Sequence, residues 1–217
     1  LLESMPMTAM IRNLANMTRC GLLTQHSAAT KSVVKRLADT ERLRRARVHP
    51  IAVLAALTTY EAGRGARGKH SWTAVRPIVD ALDAAFYQTF DNVEATGKRL
   101  LLALDVSGSM SCGAISGVPG LTPRIGSAAM SLITAATETD YGFVAFTSKL
   151  RELSISPRQR LDDVVKTISG LSFGSTDCAQ PMLWALRKKV KIDAFVVYTD
   201  SETWCGNIHP VQALAEY

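Results

Sequence analysis

The spacing of apolar residues changes part way along the chain. Met7, Met10, Ile11, Leu14 and Met17 fall on one face at helical spacing and predict a helix over 7–17. Val33, Val34, Leu37 and Leu43, set among many bases, predict a second over 31–47. A third, over 51–60, follows Pro50, whose fixed φ suits a first helical turn. A glycine-rich stretch at 63–69 separates it from a fourth helix over 75–90, with Ile78, Val79, Leu82, Phe86 and Phe90 inward. Helices in succession with short turns predict a bundle or the end of an α-solenoid.

Beyond residue 98 the pattern alternates between short apolar runs and helices. The run at 99–105 is continuously apolar up to Asp105, as in a strand buried on both faces of a parallel sheet. Further strands are expected at 141–146, 150–155 and 194–198, and helices at 125–137, 157–168 and 178–188. This alternation predicts a doubly wound α/β domain. The expected division is 1–95 helical and 96–217 α/β, with the linker near 91–98. The chain starts without Met and stops within a helical pattern at Glu216-Tyr217, so a fragment of a longer protein is expected.

Charge follows the same division. Residues 1–99 carry 15 Lys and Arg against 8 Asp and Glu, a net +7, whereas residues 100–217 carry 10 against 11, a net −1. The net +6 of the chain is therefore a property of its helical half, as expected where one part of a protein meets a polyanion. No apolar run reaches the roughly 20 residues of a membrane span, and no signal peptide is read at the start. Cys20, Cys112, Cys178 and Cys205 are far apart without a C-x-x-C pair, so reduced thiols in a cytoplasmic protein are expected.

Ligands of open α/β sheets bind beyond the carboxyl ends of the strands. Asp105 and Asp200 both stand there. In Asp105-Val106-Ser107-Gly108-Ser109, alternate residues turn three oxygens to one side of a tight loop. Gly174-Ser175-Thr176-Asp177 adds the Thr176 hydroxyl, and Thr199-Asp200 a second carboxylate. Asp105, Ser107, Ser109, Thr176 and Asp200 are all hard oxygen donors, which selects Mg²⁺, with Mn²⁺ or Ca²⁺ as the other candidates. Two carboxylates nearly neutralise a dication, and an open position would accept an acidic group from a partner protein.

D-x-S-x-S, a Thr in a later glycine-preceded loop and an Asp after an apolar strand together resemble the von Willebrand A domain and its metal-ion-dependent adhesion site. The stretches 101–110, 174–185, 198–204 and 209–214 are similar to the Ro autoantigen family in particular. In the helical half, 5–14, 47–50 and 84–90 resemble the TROVE module of that family. The resemblance implies a HEAT-like helical segment from the end of a TROVE ring, followed by a von Willebrand A-type, Rossmann-like domain cut short at its end. It implies Ser107, Ser109 and Thr176 on the ion, with Asp105 and Asp200 acting mostly through water. It also implies a ribonucleoprotein role: binding small noncoding Y RNA and the single-stranded ends of misfolded RNA, in RNA quality control and stress survival, beside an exoribonuclease in bacteria. A composition rich in Ala and Arg fits a bacterial source.

Two groups of residues are candidates for RNA contact by their own chemistry. One is the basic run with Arg42, Arg44, Arg45 and Arg47, preceded by Lys31, Lys35 and Arg36. The other is Arg64, Arg67, Lys69 and His70 in the glycine-rich loop, with Trp72 as a stacking platform. The bland reading of each is a solvated surface. His49 and His209, each before a proline, read as helix starts, and Trp184 and Trp204 as core or site-wall aromatics. A metal-dependent adhesion or scaffold module without RNA is the alternative function. An enzyme is not expected: Ser107 stands where an aspartyl phosphotransferase needs a second Asp, and no G-x-S-x-G elbow or activating His or Lys accompanies the serines.

Overall fold

Apolar residues three and four apart can be buried together only on a helix, and the amino-terminal part of the chain follows that rule. The computed structural model describes residues 2–65, 70–115, 118–171, 174–200, 203 and 205–217. In it α1 (Met7–Arg19) buries Met7, Met10, Ile11, Leu14 and Met17. The basic stretch expected as one helix is two, α2 (Ala28–Leu37) and α3 (Thr40–Arg45). The break is at Asp39, whose backbone is extended and whose carboxylate accepts the Arg42 N–H at 3.0 Å. An Asp side chain that competes for backbone donors favours a cap over a helix interior, a preference that outweighs the continuous apolar spacing.

α4 (Pro50–Glu61) starts as expected, with His49 Nδ1 accepting the Ile51 N–H at 3.2 Å. α5 (Arg76–Gln88) buries Ile78, Val79, Leu82, Ala85 and Phe86. α5 packs on α4 and α2, and α4 on α1. Arg36 is buried, donating to the Leu2 and Met5 carbonyls, so this base ties down the chain start and is not part of a charged surface.

The second unit is built on β1 (Leu100–Asp105), all six residues of which are buried. It pairs in parallel with β2 (Tyr141–Phe146) and with β4 (Ala194–Tyr198), while β3 (Leu150–Leu153) runs antiparallel on β2. The order is β3-β2-β1-β4. The third strand ends two residues before the expected 155. β4 is half-buried along its length, not deeply buried as its sequence suggests, because only β1 pairs with it among the described residues.

α6 (Pro123–Thr137) packs on β1 and on α7 (Leu161–Ser169), while α8 (Gln180–Lys188) packs on β2, β3, β4 and α9 (Pro210–Glu216). The α8 side of the sheet is a cluster of Leu101, Ala103, Val144 and Phe146, with Trp184, Phe195 and Val197 against it. α7 starts four residues after the expected 157 because 157–160 form a turn, and α8 starts two after 178 because Asp177 occupies the entry. By its contacts the chain divides into Leu1–Glu94 with Ala114–Leu121, and Ala95–Gly113 with Thr122–Tyr217. The loop Ala114–Leu121 thus groups with the helices, where the sequence pattern places it in the α/β half; Gly120 lies against the Thr58 methyl, which a Cβ would approach to 3.2 Å. No described helix is long and apolar enough to cross a membrane.

Candidate metal centre and basic surface

The parallel register brings the metal-site residues together. Leu104 of β1 lies opposite Tyr198 of β4, so the residues that follow, Asp105 on one strand and Thr199-Asp200 on the other, leave the sheet side by side. Asp105 is fully buried. A carboxylate there must have its oxygens satisfied, and three donors do so. Its Oδ1 accepts the Ser107 N–H at 2.8 Å, and its Oδ2 accepts the hydroxyls of Thr199 at 2.7 Å and Thr176 at 3.4 Å. The Ser107 and Ser109 hydroxyls are 3.1 Å apart, and Ser109 Oγ donates to Asp200 Oδ1 at 3.0 Å.

All five sequence candidates therefore share one hydrogen-bonded network of two carboxylates and three hydroxyls. Asp105, Ser107 and Thr176 form its buried floor, and Ser109 and Asp200 its exposed rim. The donor set is oxygen alone, which fits a hard dication: the hydroxyls could turn their lone pairs to an ion and the carboxylates supply the charge. With the rim open to solvent, such an ion would keep a coordination position free for an outside oxygen.

Three residues outside the expected set hold this network. Thr199 is the closest hydroxyl to Asp105, though the sequence pattern singles out only its neighbour Asp200. Arg124, near the start of α6, is buried and donates from Nη2 to the carbonyls of Ser107 at 2.9 Å and Val106 at 3.3 Å, fixing the loop from behind. Burial lowers its pKa, partly offset by the negative charge of Asp105. Asp177, beside Thr176, caps the entry to α8: its carboxylate accepts the Ala179 N–H at 3.0 Å and the Gln180 amide at 2.7 Å. Gly206 presses on that carboxylate so closely that a Cβ there would stand 2.7 Å from it, at a φ of +103° that also favours glycine. Pattern reading misses Arg124 and Asp177 because an Arg in a helix and an Asp after a Thr carry no spacing of their own.

Near the site, the Cys178 thiol is pushed up by burial and by the charges of Asp105 and Asp177, and Cys205 by burial and Asp177. All four cysteines are free thiols. Trp184 packs on the sheet cluster as a core-wall aromatic, while Trp204 lies outside the described residues. His209 caps α9 through its Nδ1, which accepts the Val211 N–H at 3.3 Å.

The basic candidates are less simply arranged. Arg42, Arg44 and Arg45 are exposed on α3, where Arg42 pairs with Asp39 at 3.0 Å, and Arg44 and Arg45 with Glu41 at 3.0 and 2.9 Å. Exposed pairs of this kind are worth at most about 1 kcal/mol, so they do not bar the arginines from a polyanion. Arg47 is exposed at the end of α3, with a φ of 47°. Lys31, Lys35, Arg64 and His70 are exposed, whereas Arg67 and Lys69 lie outside the described residues. Trp72 is not a free platform. Its ring stacks on Tyr60 at 6.4 Å and its Nε1 donates to the Tyr60 carbonyl at 2.8 Å, because a half-buried indole N–H takes the nearest acceptor.

Residues 99–217 match the model of the Ro60 vWA domain, and residues 1–59 that of the TROVE domain. The chain is 49% identical over 212 residues to the RNA-binding protein RO60 of Deinococcus radiodurans, covering 97% of this chain and 40% of that protein. It is 47% identical over 214 residues to the RNA-binding protein RO60 of Caenorhabditis elegans, covering 99% and 33% respectively. The crystal structure of the Deinococcus radiodurans RO (RSR) protein superposes with a TM-score of 0.93 at 47% identity, over 99% of this chain and 44% of that one. The chain thus spans between a third and a half of the length of these relatives. A helical unit matching TROVE, followed by an α/β unit matching the A-type domain specific to Ro60, places this chain in the Ro family.

Proposed function

We propose that this chain is part of a cytoplasmic ribonucleoprotein component that binds RNA through its basic helical unit and holds a divalent ion, Mg²⁺ above all, in its α/β unit. The observation that carries the RNA reading is the close likeness, across nearly the whole chain, to two proteins named as RNA-binding. The exposed arginines of α3 agree with it, since flexible guanidinium groups in weak surface pairs exchange carboxylates for phosphates at little cost. Small noncoding Y RNA and the single-stranded ends of misfolded RNA are the proposed ligands, in quality control beside an exoribonuclease. The role we assign is binding, in keeping with the names of both relatives.

In the α/β unit an ion held by Ser107, Ser109 and Thr176 would supply a Lewis-acidic centre for an acidic oxygen. The chain's own residues do the positioning: Asp105 orients three donors, and Arg124 fixes the loop carbonyls. The exposed rim favours a second reading, in which this centre grips an acidic protein group as an adhesion module does. Filter binding of a structured small RNA and of an unstructured strand across a salt series tests the main reading. Tight binding with a steep salt dependence is expected. No binding at low salt, together with EDTA-sensitive capture of an acidic peptide, would select the adhesion reading.

A further inference from the structure

We propose that the cleft at the β2–β3 turn, beside the candidate metal loops, is a second RNA contact that holds the phosphates of a single strand through Lys149 and Arg151; this rests on the RNA-binding reading above. The cleft has a volume of about 510 Å³, and Thr147, Ser148, Lys149 and Arg151 supply its polar wall. Among the described residues no carboxylate lines it. Lys149 and Arg151 are exposed, and neither is in an ion pair among the described residues.

These two cations are the charged side chains of the cleft's described lining. They are not spent on stabilising a helix end or a buried acid. Within five residues the wall offers two hydroxyls, an ammonium and a guanidinium, the side-chain donors that position nucleic-acid backbones without reading bases. The one aromatic side chain among the described lining residues, Phe146, is fully buried, so the described wall presents donors for phosphate.

The cleft is also joined to both loops of the candidate metal site. The Val106 N–H donates to the Phe146 carbonyl at 3.1 Å, and the Asp177 N–H to the Thr147 carbonyl at 3.2 Å. The cleft is thus tied through the backbone to the loops that carry Ser107 and Thr176. Placed at the carboxyl ends of β1 and β2, it occupies the edge where open α/β sheets take their ligands.

The test uses the full 217-residue chain and a labelled twelve-residue oligouridylate, titrated at several salt concentrations. Changing both Lys149→Ala and Arg151→Ala should weaken binding at least fivefold at low salt. Losing two phosphate contacts should also lower the slope of log affinity against log salt by about 1.4, at about 0.7 per contact for single strands. The exchange Lys149→Arg with Arg151→Lys keeps both charges and should restore affinity and slope. Mn²⁺ binding and thermal stability should match the parent, since both residues are exposed and outside the metal network. Unchanged affinity and slope, in a parent that binds the oligonucleotide, would overturn the cleft while leaving RNA binding intact. A parent that binds no RNA, but loses a polyglutamate peptide on the double substitution, would overturn both and give the cleft to an acidic protein.

Discussion

Burial separates residues of the metal site that look equivalent in the motif. Ser109 and Asp200 are exposed, so Ser109→Ala or Asp200→Asn should weaken Mn²⁺ binding at least tenfold, read by calorimetry or spin resonance, with little change in melting temperature. Asp105 is fully buried with three donors on it, so Asp105→Ala should lose both metal binding and stability. Each donor left unpaired costs about 1–3 kcal/mol. Equal thermal effects of the three substitutions would count against this division between floor and rim. Arg124→Met removes a charged donor from two loop carbonyls and should destabilise by about 3–6 kcal/mol in urea unfolding, at about 1.5–3 kcal/mol for each bond to a charged group. Arg124→Lys, able to reach one carbonyl, should recover part of that loss.

Among the elements, the ends of helices carry the testable energy. Asp39 divides α2 from α3, and Asp39→Ala should cost about 1 kcal/mol, the usual value of an N-cap carboxylate. Glu138, just past α6, takes the backbone N–H groups of Thr96 at 2.6 Å and Gly97 at 3.0 Å, which fastens the chain as it enters β1. These N–H donors, that of Thr96 foremost, hold its carboxyl below the ordinary range. A carboxylate with a lowered folded pKa contributes stability above its unfolded value, and the contribution is lost as pH falls through the folded one. Glu138→Gln should therefore lower the melting temperature at pH 7 and flatten the part of the acid-stability profile below about pH 4.5, the ordinary carboxyl value. An unaltered profile would show that the clamp does not titrate in that window. The Arg99–Asp193 pair, which joins the starts of β1 and β4 at 2.9 Å, works in the same sense, with Asp193 held well below the usual range by Arg99.

At the scale of the whole molecule the deciding feature is charge segregation. Residues 1–94 carry 13 Lys and Arg against 8 Asp and Glu, a net +5, and residues 95–217 carry 12 against 11, a net +1, so the helical unit should dominate the salt dependence of RNA binding. Replacing Arg42, Arg44 and Arg45 together by alanine should reduce the salt slope by about 2, at about 0.7 per lost phosphate contact. It should leave Mn²⁺ affinity unchanged, because the three side chains stand on α3 and the metal network in the α/β unit. A slope unaltered by the triple substitution would assign those arginines to a solvated face.

Local regularities are legible in the sequence itself. Periodicity at 7–17 and 75–90 marks α1 and α5 to within two residues, with Phe90 in a separate 3-10 turn, and the apolar runs ending at Asp105 and Tyr198 mark β1 and β4, because burying one face requires a fixed repeat. The five oxygen donors are legible too, since each follows a strand or stands in a glycine turn. The break at Asp39 is not, because a capping side chain can override a continuous apolar stripe without altering it.

Other features depend on residues distant in sequence. Thr199 reaches Asp105 only because β4 pairs with β1 in the register Leu104 to Tyr198, and Arg124 reaches the loop carbonyls only because α6 packs on β1. Tyr60 takes the ring of Trp72 across a loop, removing a surface the sequence offers to RNA. By itself, then, the chain determined most of its elements, its charge division and the chemistry of its candidate metal site. Tertiary structure decided which oxygens meet, which cations are already engaged and which stand exposed beside a cleft, because those outcomes depend on register and packing between segments up to 94 residues apart.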